Sequence, residues 1–333
     1  MGGIRTKSLA AVLFALISVQ PFHGHWLSRS GSGLLLVLNK SESTLAIVDP
    51  VQLKVLDRIP TGEAPHELIT SADGRLAFVS NYGTADRPGN TISVIEIATR
   101  KEVNRIDLGA LSRPHGIVES SGKIYFTIEN SRSIARYDVA AGRIDWIMGT
   151  GQGGTHMIVV GSRSQKIYTA NRESNTVSAI EPVSGNAPLK MTQITVGRGP
   201  EGIALSPDDR EVWAAHRGDG GLSIIDTGND QVKEVIKVGR APIRVKFTTD
   251  GKRVLISDSQ AADLVVIDAS TRKEIKRLAI GGNPGGILMD PDGKRAFVAS
   301  GQANKVIVIN LENLSIEGFV ETGRDPDGLA WAK

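Results

Sequence analysis

A short phrase rich in glycine and proline returns seven times along this chain of 333 residues. It reads GEAPHE at residues 62–67, GRGPEG at 197–202 and GRDPDG at 323–328. Its proline position is occupied in order by Pro65, Pro114, Thr155, Pro200, Pro242, Pro284 and Pro326. These positions lie 41 to 49 residues apart, close to the roughly 40 to 45 residues of one four-stranded propeller blade. The repeat therefore predicts a ring of blades.

The segments between the copies favour strands. Short apolar runs are separated by Asp-Gly pairs at residues 73–74, 250–251 and 292–293, and such pairs are typical of tight hairpins. Beyond the N-terminus, no stretch sustains an apolar period of about 3.6 residues, which a helical fold would require. We predict an all-β fold, a seven-bladed β-propeller with four-stranded blades.

The two ends of the repeat complement each other. Residues 34–62 match the second, third and fourth strands of a blade, whereas residues 325–333 match a first strand and then stop. Pairing the C-terminal strand with the three N-terminal strands would complete the seventh blade, and it would remove the exposed sheet edges of an open array. We predict one propeller domain over residues 33–333, in which the last residues are structurally essential.

The first 30 residues do not share the repeat. Arg5 and Lys7 precede an apolar run over residues 9–19, which has the length of a signal-peptide core and is short for a membrane span. We expect residues 1–30 to be a signal peptide and linker, with no other transmembrane segment, and an uncleaved anchor is the alternative. The protein would then be periplasmic, secreted or held at the cell surface.

Composition restricts the chemistry. The chain has no cysteine, which excludes disulfides and thiolate metal sites. Without Arg5 and Lys7, 37 basic residues face 36 acidic ones, so the mature chain would carry a charge of about +1. A nearly neutral chain lacks the basic footprint of a nucleic-acid-binding protein. We therefore expect no nucleic-acid partner.

Phrases on the predicted second strands resemble those of the YVTN-repeat β-propellers. The phrases are FVSN at residues 78–81, YTAN at 168–171 and WAAH at 213–216, and NTISVIEI and NTVSAIEP represent the third strands. The resemblance covers residues 34–333. It implies a propeller fold and an extracytoplasmic or surface-associated location, and it implies little about activity.

Two rings of polar residues mark the candidate site. The residue after each proline position should begin an innermost strand and face the central channel. This first ring consists of His66, His115, His156, Glu201, Ile243, Gly285 and Asp327. A second ring, expected at the ends of the second strands, consists of Asn39, Asn81, Glu129, Asn171, His216, Asp258 and Ser300, with the residue of the second blade uncertain by one position. Both rings should open on one funnel.

The histidines permit two interpretations. His66, His115 and His156 with Glu201 could bind a divalent transition metal such as zinc, because such ions accept imidazole and carboxylate ligands. Amidating lyases and streptogramin lyases look like related propellers that arrange histidines of successive blades around a metal or substrate. Alternatively, each histidine only hydrogen-bonds a neighbouring loop, and the width of a seven-bladed channel decides between the two.

Two functions from different classes follow, and nucleic-acid binding is a third that the nearly neutral charge disfavours. The first is a non-catalytic, monomeric binding or scaffold propeller, whose funnel contacts a protein, a glycan or a small molecule. Its expected contact residues are Asn81, Glu129, Asn171, His216, Asp258 and Asp327. The second is a metal-dependent lyase or hydrolase, with Glu201 or His216 as the acid or base and a metal-bound water as nucleophile.

Overall fold

The computed structural model describes residues 1–2, 33–181 and 190–332. The chain divides into two units, residues 1–31 and residues 32–333. All described strands belong to the second unit. The predicted signal-peptide core lies outside the described residues. Within the described ranges, no helix has the length and apolar character needed to cross a bilayer.

The first four blades follow one another along the chain, each as a four-stranded antiparallel sheet. Blade 1 contains β4 (Pro65–Thr70), β5 (Leu76–Gly83), β6 (Pro88–Glu96) and β7 (Lys101–Asp107). Blade 2 contains β8 (Pro114–Ser120), β9 (Lys123–Ile128), β10 (Ser133–Asp138) and β11 (Arg143–Gly149). Blade 3 contains β12 (Thr155–Val160), β13 (Ile167–Asn171), β14 (Thr176–Ile180) and β15 (Met191–Thr195). Blade 4 contains β16 (Pro200–Leu205), β17 (Glu211–His216), β18 (Gly221–Asp226) and β19 (Gln231–Lys237).

The remaining blades complete the ring. Blade 5 contains β20 (Pro242–Phe247), β21 (Arg253–Asp258), β22 (Asp263–Asp268) and β23 (Glu274–Ala279). Blade 6 contains β24 (Pro284–Met289), β25 (Arg295–Ser300), β26 (Lys305–Asn310) and β27 (Ser315–Val320). Blade 7 combines β28 (Pro326–Ala332) with β1 (Leu34–Asn39), β2 (Thr44–Asp49) and β3 (Lys54–Pro60). The predicted seven-bladed fold and its closure by the two chain ends are confirmed.

The first strand of every blade is the innermost one. Each of these seven strands contacts the first strands of both neighbouring blades, so together they surround a central channel. The proline at the start of most first strands is compatible with this position, because proline cannot donate to a ladder and is tolerated at a strand's first residue. A side chain at one repeat position therefore recurs around the channel.

Packing between the blades forms the hydrophobic core. The five largest fully buried side chains all lie on second strands: Phe78, Phe126, Tyr168, Trp213 and Phe297. Each packs into a hydrophobic cluster that contains residues of two neighbouring blades. The sheets thus bury both faces, which holds the innermost strands in fixed positions around the channel.

Glycine lets the innermost strands approach closely. A Cβ atom on Gly286 would stand 2.2 Å from the backbone oxygen of Asp327 on the next blade, and one on Gly328 would stand 2.5 Å from the backbone oxygen of His66. Both distances are shorter than any normal carbon–oxygen contact, and backbone cannot move aside as a flexible side chain can. The glycine of the repeat is therefore required by the contact between blades.

We expect Gly286→Ala to destabilise the protein by about 1 to 3 kcal/mol, the usual cost of overpacking. Urea unfolding followed by circular dichroism should give a lower midpoint with an unchanged slope. Gly149→Ala is the matched control, because a Cβ there meets no atom within 4 Å. Equal midpoints for the two variants would contradict this explanation of the glycine.

Candidate functional site

The first ring converges as its repeat position predicts. All seven of its residues line one cavity of about 330 Å³ at the end of the central channel: His66, His115, His156, Glu201, Ile243, Gly285 and Asp327. We call this cavity the funnel. At the first-ring position the wall is polar in blades 1 to 4 and in blade 7, whereas blade 5 has Ile243 and blade 6 has Gly285. Arg244 and Ser259 of blade 5 and Asn283 before blade 6 add polar groups to the wall.

The second ring lies one residue later along the chain than the pattern predicts. The side chains or backbone that reach the funnel wall from this level belong to Lys40, Tyr82, Arg172, Arg217, Ser259 and Gly301. Asn81, Asn171, His216 and Asp258, which were expected there, directly precede four of them and do not line the cavity. The physical reason is the period of two along a strand, since neighbouring side chains point in opposite directions.

The expected residues instead hold loops and strands together. The amide of Asn81 accepts a hydrogen bond from the N–H of Gly62 at 3.0 Å and donates to the hydroxyls of Thr91 and Ser93. The carboxylate of Asp258 accepts from backbone N–H groups of the loop that leads into blade 5. These side chains satisfy buried backbone groups that would otherwise lack partners.

Glu129 differs from the other predicted members because the connection between β8 and β9 is shorter than its equivalents, so Glu129 stands one residue after the position of Asn81. Ile128 pairs with Pro114, as Asn81 pairs with Pro65 in blade 1. Ile128 therefore takes the loop-binding position, and Glu129 falls one residue further, level with Tyr82. This places the buried carboxylate of Glu129 behind the histidines of the funnel.

Four aromatic rings form a continuous stack on one side of the funnel. The ring centroids of His115 and His156 are 3.8 Å apart, those of His66 and His115 are 5.0 Å apart, and the Tyr82 ring lies 4.6 Å from that of His66. The three histidines come from adjacent innermost strands, whereas Tyr82 comes from the extended β5–β6 hairpin. The rings therefore pack against one another in the order Tyr82, His66, His115 and His156.

A hydrogen-bonded chain orients this stack from behind. The hydroxyl of Tyr82 donates to Oε2 of Glu129, and Oε1 of Glu129 pairs with Nδ1 of His156. Since a carboxylate only accepts, Nδ1 of the neutral His156 carries the proton and Nε2 is left as an acceptor. Within the described residues, Nε2 of His156 and Nδ1 of His115 make no hydrogen bond although both are buried.

Burial keeps the imidazoles neutral. Desolvation lowers the pKa of His115 and His156 well below the ordinary value, and nearby cations or imidazoles add to the effect. Desolvation also lowers the pKa of His66 to about 4, although Asp327 opposes the shift. For Tyr82, burial and the Glu129 carboxylate raise the pKa, so the hydroxyl keeps its proton. At neutral pH the stack offers uncharged nitrogen atoms.

Charged side chains around the stack are mostly paired. Nη1 of Arg217 lies 3.1 Å from Oε2 of Glu201. Nζ of Lys40 lies 3.3 Å from Oδ2 of Asp325 and 3.5 Å from Oδ2 of Asp327. Arg172 is the loosest, with Nη2 at 4.0 Å from Oε2 of Glu129. A bound ligand would meet a nearly balanced set of charges.

An ion pair between non-adjacent blades lies beneath the first ring. Arg244 on β20 donates to the carboxylate of Glu67 on β4, and its Nη2 lies 3.8 Å from Oδ1 of Asp327. Burial opposes the charge of Arg244, but these carboxylates outweigh it and raise the pKa of the guanidinium. The pair reaches from blade 5 to blade 1 and forms a polar floor.

The predicted metal set is only partly brought together. Among residues 33–181 and 190–332, three potential ligand atoms lie within 4.8 Å of one another, and they belong to His115, Glu129 and His156. Glu201 approaches His156 alone, with Oε1 at 3.9 Å from Nε2, and His66 pairs with Asp327 at 3.4 Å. Glu129 thus joins His115 and His156 in place of the other two predicted ligands.

His216, a predicted acid or base, lies outside the funnel. Its ring is fully buried, and Nδ1 lies 3.3 Å from Oδ1 of Asp219, yet neither ring nitrogen forms a hydrogen bond of good geometry within the described chain. The equivalent position is occupied by Asn81 in blade 1 and by Asn171 in blade 3. There the amide donates to Ser93 or Ser178, whereas the equivalent Ser223 has no partner among the described atoms.

We expect His216→Asn to stabilise the protein by about 1 kcal/mol, because the amide can donate to Ser223. Burial lowers the pKa of His216 despite the opposing Asp219. The folded state keeps the His216 ring neutral, so its contribution to the free energy of unfolding is present above about pH 6.5. That contribution declines below this pH, because the unfolded chain then binds a proton that the folded state binds less readily. The advantage of the variant should grow below that pH in urea unfolding experiments. An advantage that shrinks towards low pH would contradict this explanation.

Comparisons with known proteins agree with the fold. A family model described as "YNCE-like beta-propeller" matches residues 9–332. No curated protein matches the chain. A protein from Lactobacillus plantarum is 14% identical with a TM-score of 0.76, over 91% of this chain and 100% of that one.

Two other solved structures are also similar. A functionally unknown protein from Desulfotomaculum acetoxidans is 13% identical with a TM-score of 0.72, over 90% of this chain and 99% of that one. Hydrazine synthase from Kuenenia stuttgartiensis is 18% identical with a TM-score of 0.67, over 80% and 89%. At these identities the similarity shows the fold alone.

Proposed function

This chain belongs to the YNCE-like beta-propeller family, and we propose that it is a binding propeller that holds a small polar ligand in its funnel. One observation carries the proposal: Nδ1 of His115 and Nε2 of His156 are buried at the funnel without hydrogen-bond partners in the described chain. A buried polar atom without a partner costs about 1 to 3 kcal/mol. A ligand that donates to these atoms, or coordinates them, would recover that free energy.

The shape of the funnel supports a small ligand. A cavity of about 330 Å³ lies at the lower end of the range for small-molecule sites, roughly 300 to 1,000 Å³. The side formed by blades 1 to 4 is polar, whereas Ile243 and Gly285 leave an apolar stretch at the first-ring position of blades 5 and 6. A ligand would direct its polar groups at the histidines and its remaining atoms over Gly285.

The charges favour a ligand rich in hydrogen-bond donors. Glu201 lies 3.9 Å from the acceptor nitrogen of His156, so two acceptors face each other across a gap that a donor or a cation can fill. A simple anion would have to displace carboxylates from Arg217 and Lys40. We therefore favour a cationic ligand or a neutral ligand with amine or hydroxyl donors.

The metal-dependent lyase or hydrolase is not favoured by this arrangement. Of its two candidate acid or base residues, His216 lies away from the funnel, and Glu201 is held by Arg217 at 3.1 Å. A hydrolase or lyase needs a base that is free to accept a proton, and neither candidate provides one in the funnel. The arrangement therefore fits ligand binding better than catalysis. We propose binding without turnover as the main activity.

Thermal-shift screening of donor-rich compounds tests the proposal. The panel would contain amino sugars, polyols, amino acids, polyamines and nucleosides, tested on wild type, Gly285→Leu and Gly149→Leu. A Cβ on Gly285 would meet only a carboxylate oxygen of Asp327 at 3.1 Å within close range, so the larger side chain should fold and fill the funnel. Ligand stabilisation should be lost in Gly285→Leu and retained in Gly149→Leu. Stabilisation retained in both variants would move the binding site elsewhere.

We also propose that the protein works outside the cytoplasm, on the basis of the charged and apolar pattern of residues 5–19. Cell fractionation with N-terminal sequencing of the recovered protein tests this point. Recovery in the periplasmic or secreted fraction is expected. Recovery of the chain with Met1 in the cytoplasm would contradict it.

A further inference from the structure

We propose that His115, Glu129 and His156 form a binding site for one divalent transition-metal ion at the base of the histidine stack. The inference rests on the proposed function, because it identifies a ligand of the same funnel. The three residues are contributed by adjacent blades, His115 by β8, Glu129 by the turn after β9 and His156 by β12. Two imidazoles and one carboxylate suit zinc, cobalt, nickel, copper or iron.

The spacing of the three residues fits an ion after a small contraction. Their potential ligand atoms lie within 4.8 Å of one another. Bonds of about 2.0 to 2.2 Å in tetrahedral geometry would separate ligand atoms by about 3.4 Å. All three residues are at least nine-tenths buried, with exposed fractions of 2% for His115, 6% for Glu129 and 3% for His156. Side-chain rotations alone can supply the contraction, because the strands that carry them are already in contact.

The pattern of unpartnered atoms gives the second, independent argument. In the metal-free arrangement, Nδ1–H of His156 donates to Glu129, and Nε2 of His156 and Nδ1 of His115 are left over. An ion that replaces the proton between His156 and Glu129 would take Nδ1 of His156, a carboxylate oxygen of Glu129 and Nδ1 of His115 as ligands. The proton of His156 would then reside on Nε2.

That change of tautomer also satisfies the second unpartnered atom. Nε2–H of His156 would donate towards Oε1 of Glu201, which lies 3.9 Å away. Metal-bound histidines commonly donate their other N–H to a carboxylate in this manner. One bound ion would thus provide partners for both buried nitrogen atoms, whereas a single donor group on a ligand could reach one of them.

Neighbouring side chains would hold the ligands of such an ion in place. Tyr82 donates to Oε2 of Glu129, which fixes the carboxylate and leaves its other oxygen for the ion. His115 and His156 both line the funnel, so the coordination positions not taken by protein would face the cavity. A ligand in the funnel could bind directly to the ion there.

The test is a titration of metal-free protein, purified without a metal-binding tag, with Zn²⁺ by calorimetry and with Co²⁺ by visible absorption. We expect one ion per chain and Co²⁺ bands typical of mixed nitrogen and oxygen ligands.

His115→Ala and Glu129→Gln should lose this binding. His216→Asn should retain it, because His216 lies outside both the funnel and the cluster. Glu201→Gln and Tyr82→Phe should weaken affinity by about 10- to 100-fold, the usual effect of removing an outer partner of a ligand.

Two controls separate a loss of metal binding from a loss of folding. Glu129→Gln keeps the shape of the side chain, and the metal-free melting curve of each variant identifies any loss that arises from unfolding. Failure of folded wild type to bind either ion stoichiometrically, or unchanged binding in both His115→Ala and Glu129→Gln, would overturn the metal site. If the compound panel still stabilises wild type and fails on Gly285→Leu, the funnel remains a ligand site without a metal.

Discussion

Deletion of residues 326–333 is expected to abolish cooperative unfolding. This segment supplies β28, the innermost strand of blade 7, which pairs with β1 from Leu34–Ala332 to Asn39–Pro326 and also contacts β4 and β24. Its Trp331 donates to the backbone oxygen of Met289 in blade 6, and Thr70 in blade 1 donates to the backbone oxygen of Trp331. Without the strand, β1 becomes an unpaired edge and the ring opens between blades 6 and 1.

The measurement is urea unfolding followed by circular dichroism, with dye binding as a probe of exposed apolar surface. The truncated chain should show a broad or absent transition and a tendency to aggregate through its exposed edge. Adding a synthetic peptide of residues 325–333 in trans should restore part of the transition, which separates loss of the strand from general misfolding. A truncated chain with the wild-type midpoint and slope would contradict the role of β28 in closure.

Arg244→Met is expected to destabilise the protein by about 3 to 5 kcal/mol, the usual effect of removing one partner from a buried ion pair. The variant leaves the carboxylate of Glu67 buried without its main partner, since the side chain of Glu67 is 14% exposed. Replacing both residues, in Arg244→Met/Glu67→Met, should recover most of the loss, because neither charge of the pair is then left without the other. Arg75→Met, which removes an exposed arginine, should change stability little.

The effect of Arg244→Met should depend on pH. Burial raises the pKa of Glu67, and Arg244 opposes that shift, so the variant should raise it further. A carboxyl whose pKa is higher in the folded state than in the unfolded one stabilises the fold while protonated and loses that contribution as the pH rises through the folded pKa. Destabilisation should therefore be smallest near pH 4 and largest at neutral pH in urea unfolding. A loss that is greatest at acidic pH would contradict this explanation.

The repeat predicted most of the fold because the same residues recur at the same structural position in every blade. The spacing of the prolines gave the number of blades, and the incomplete first and last copies gave the closure between β28 and β1. The first ring was also predictable, since one position after the proline recurs on every innermost strand. His66, His115, His156, Glu201 and Asp327 accordingly meet in one cavity.

The second ring shows where a repeat pattern is insufficient. Asn81 and Asn171 are the conspicuous residues of their phrases, but strand alternation turns them towards the loops, and the less regular Tyr82 and Arg172 face the funnel. Sliding the same alignment by one residue would have found them. The shorter connection between β8 and β9 puts Ile128 at the position of Asn81, so Glu129 stands at the level of Tyr82. This depends on the loop length of a single blade.

Contacts between distant blades could not be predicted from spacing. Arg244 and Glu67 are separated by four blades along the chain and meet because their side chains reach across the channel. The proximity of His115, Glu129 and His156 likewise depends on how far each side chain enters the channel. These distances follow from the width of the closed ring, which no local phrase encodes.

Nitrogen NMR of protein labelled only in its histidine rings tests the funnel most directly. The chain has six histidines, and assignment by single substitution would distinguish Nδ1 from Nε2 in each ring. The resonances of His115 and His156 should shift when Zn²⁺ or the strongest stabilising compound is added, while those of His216 should stay constant. Resonances of His115 and His156 that remain unchanged with every ligand that binds the protein would contradict the funnel as its binding site.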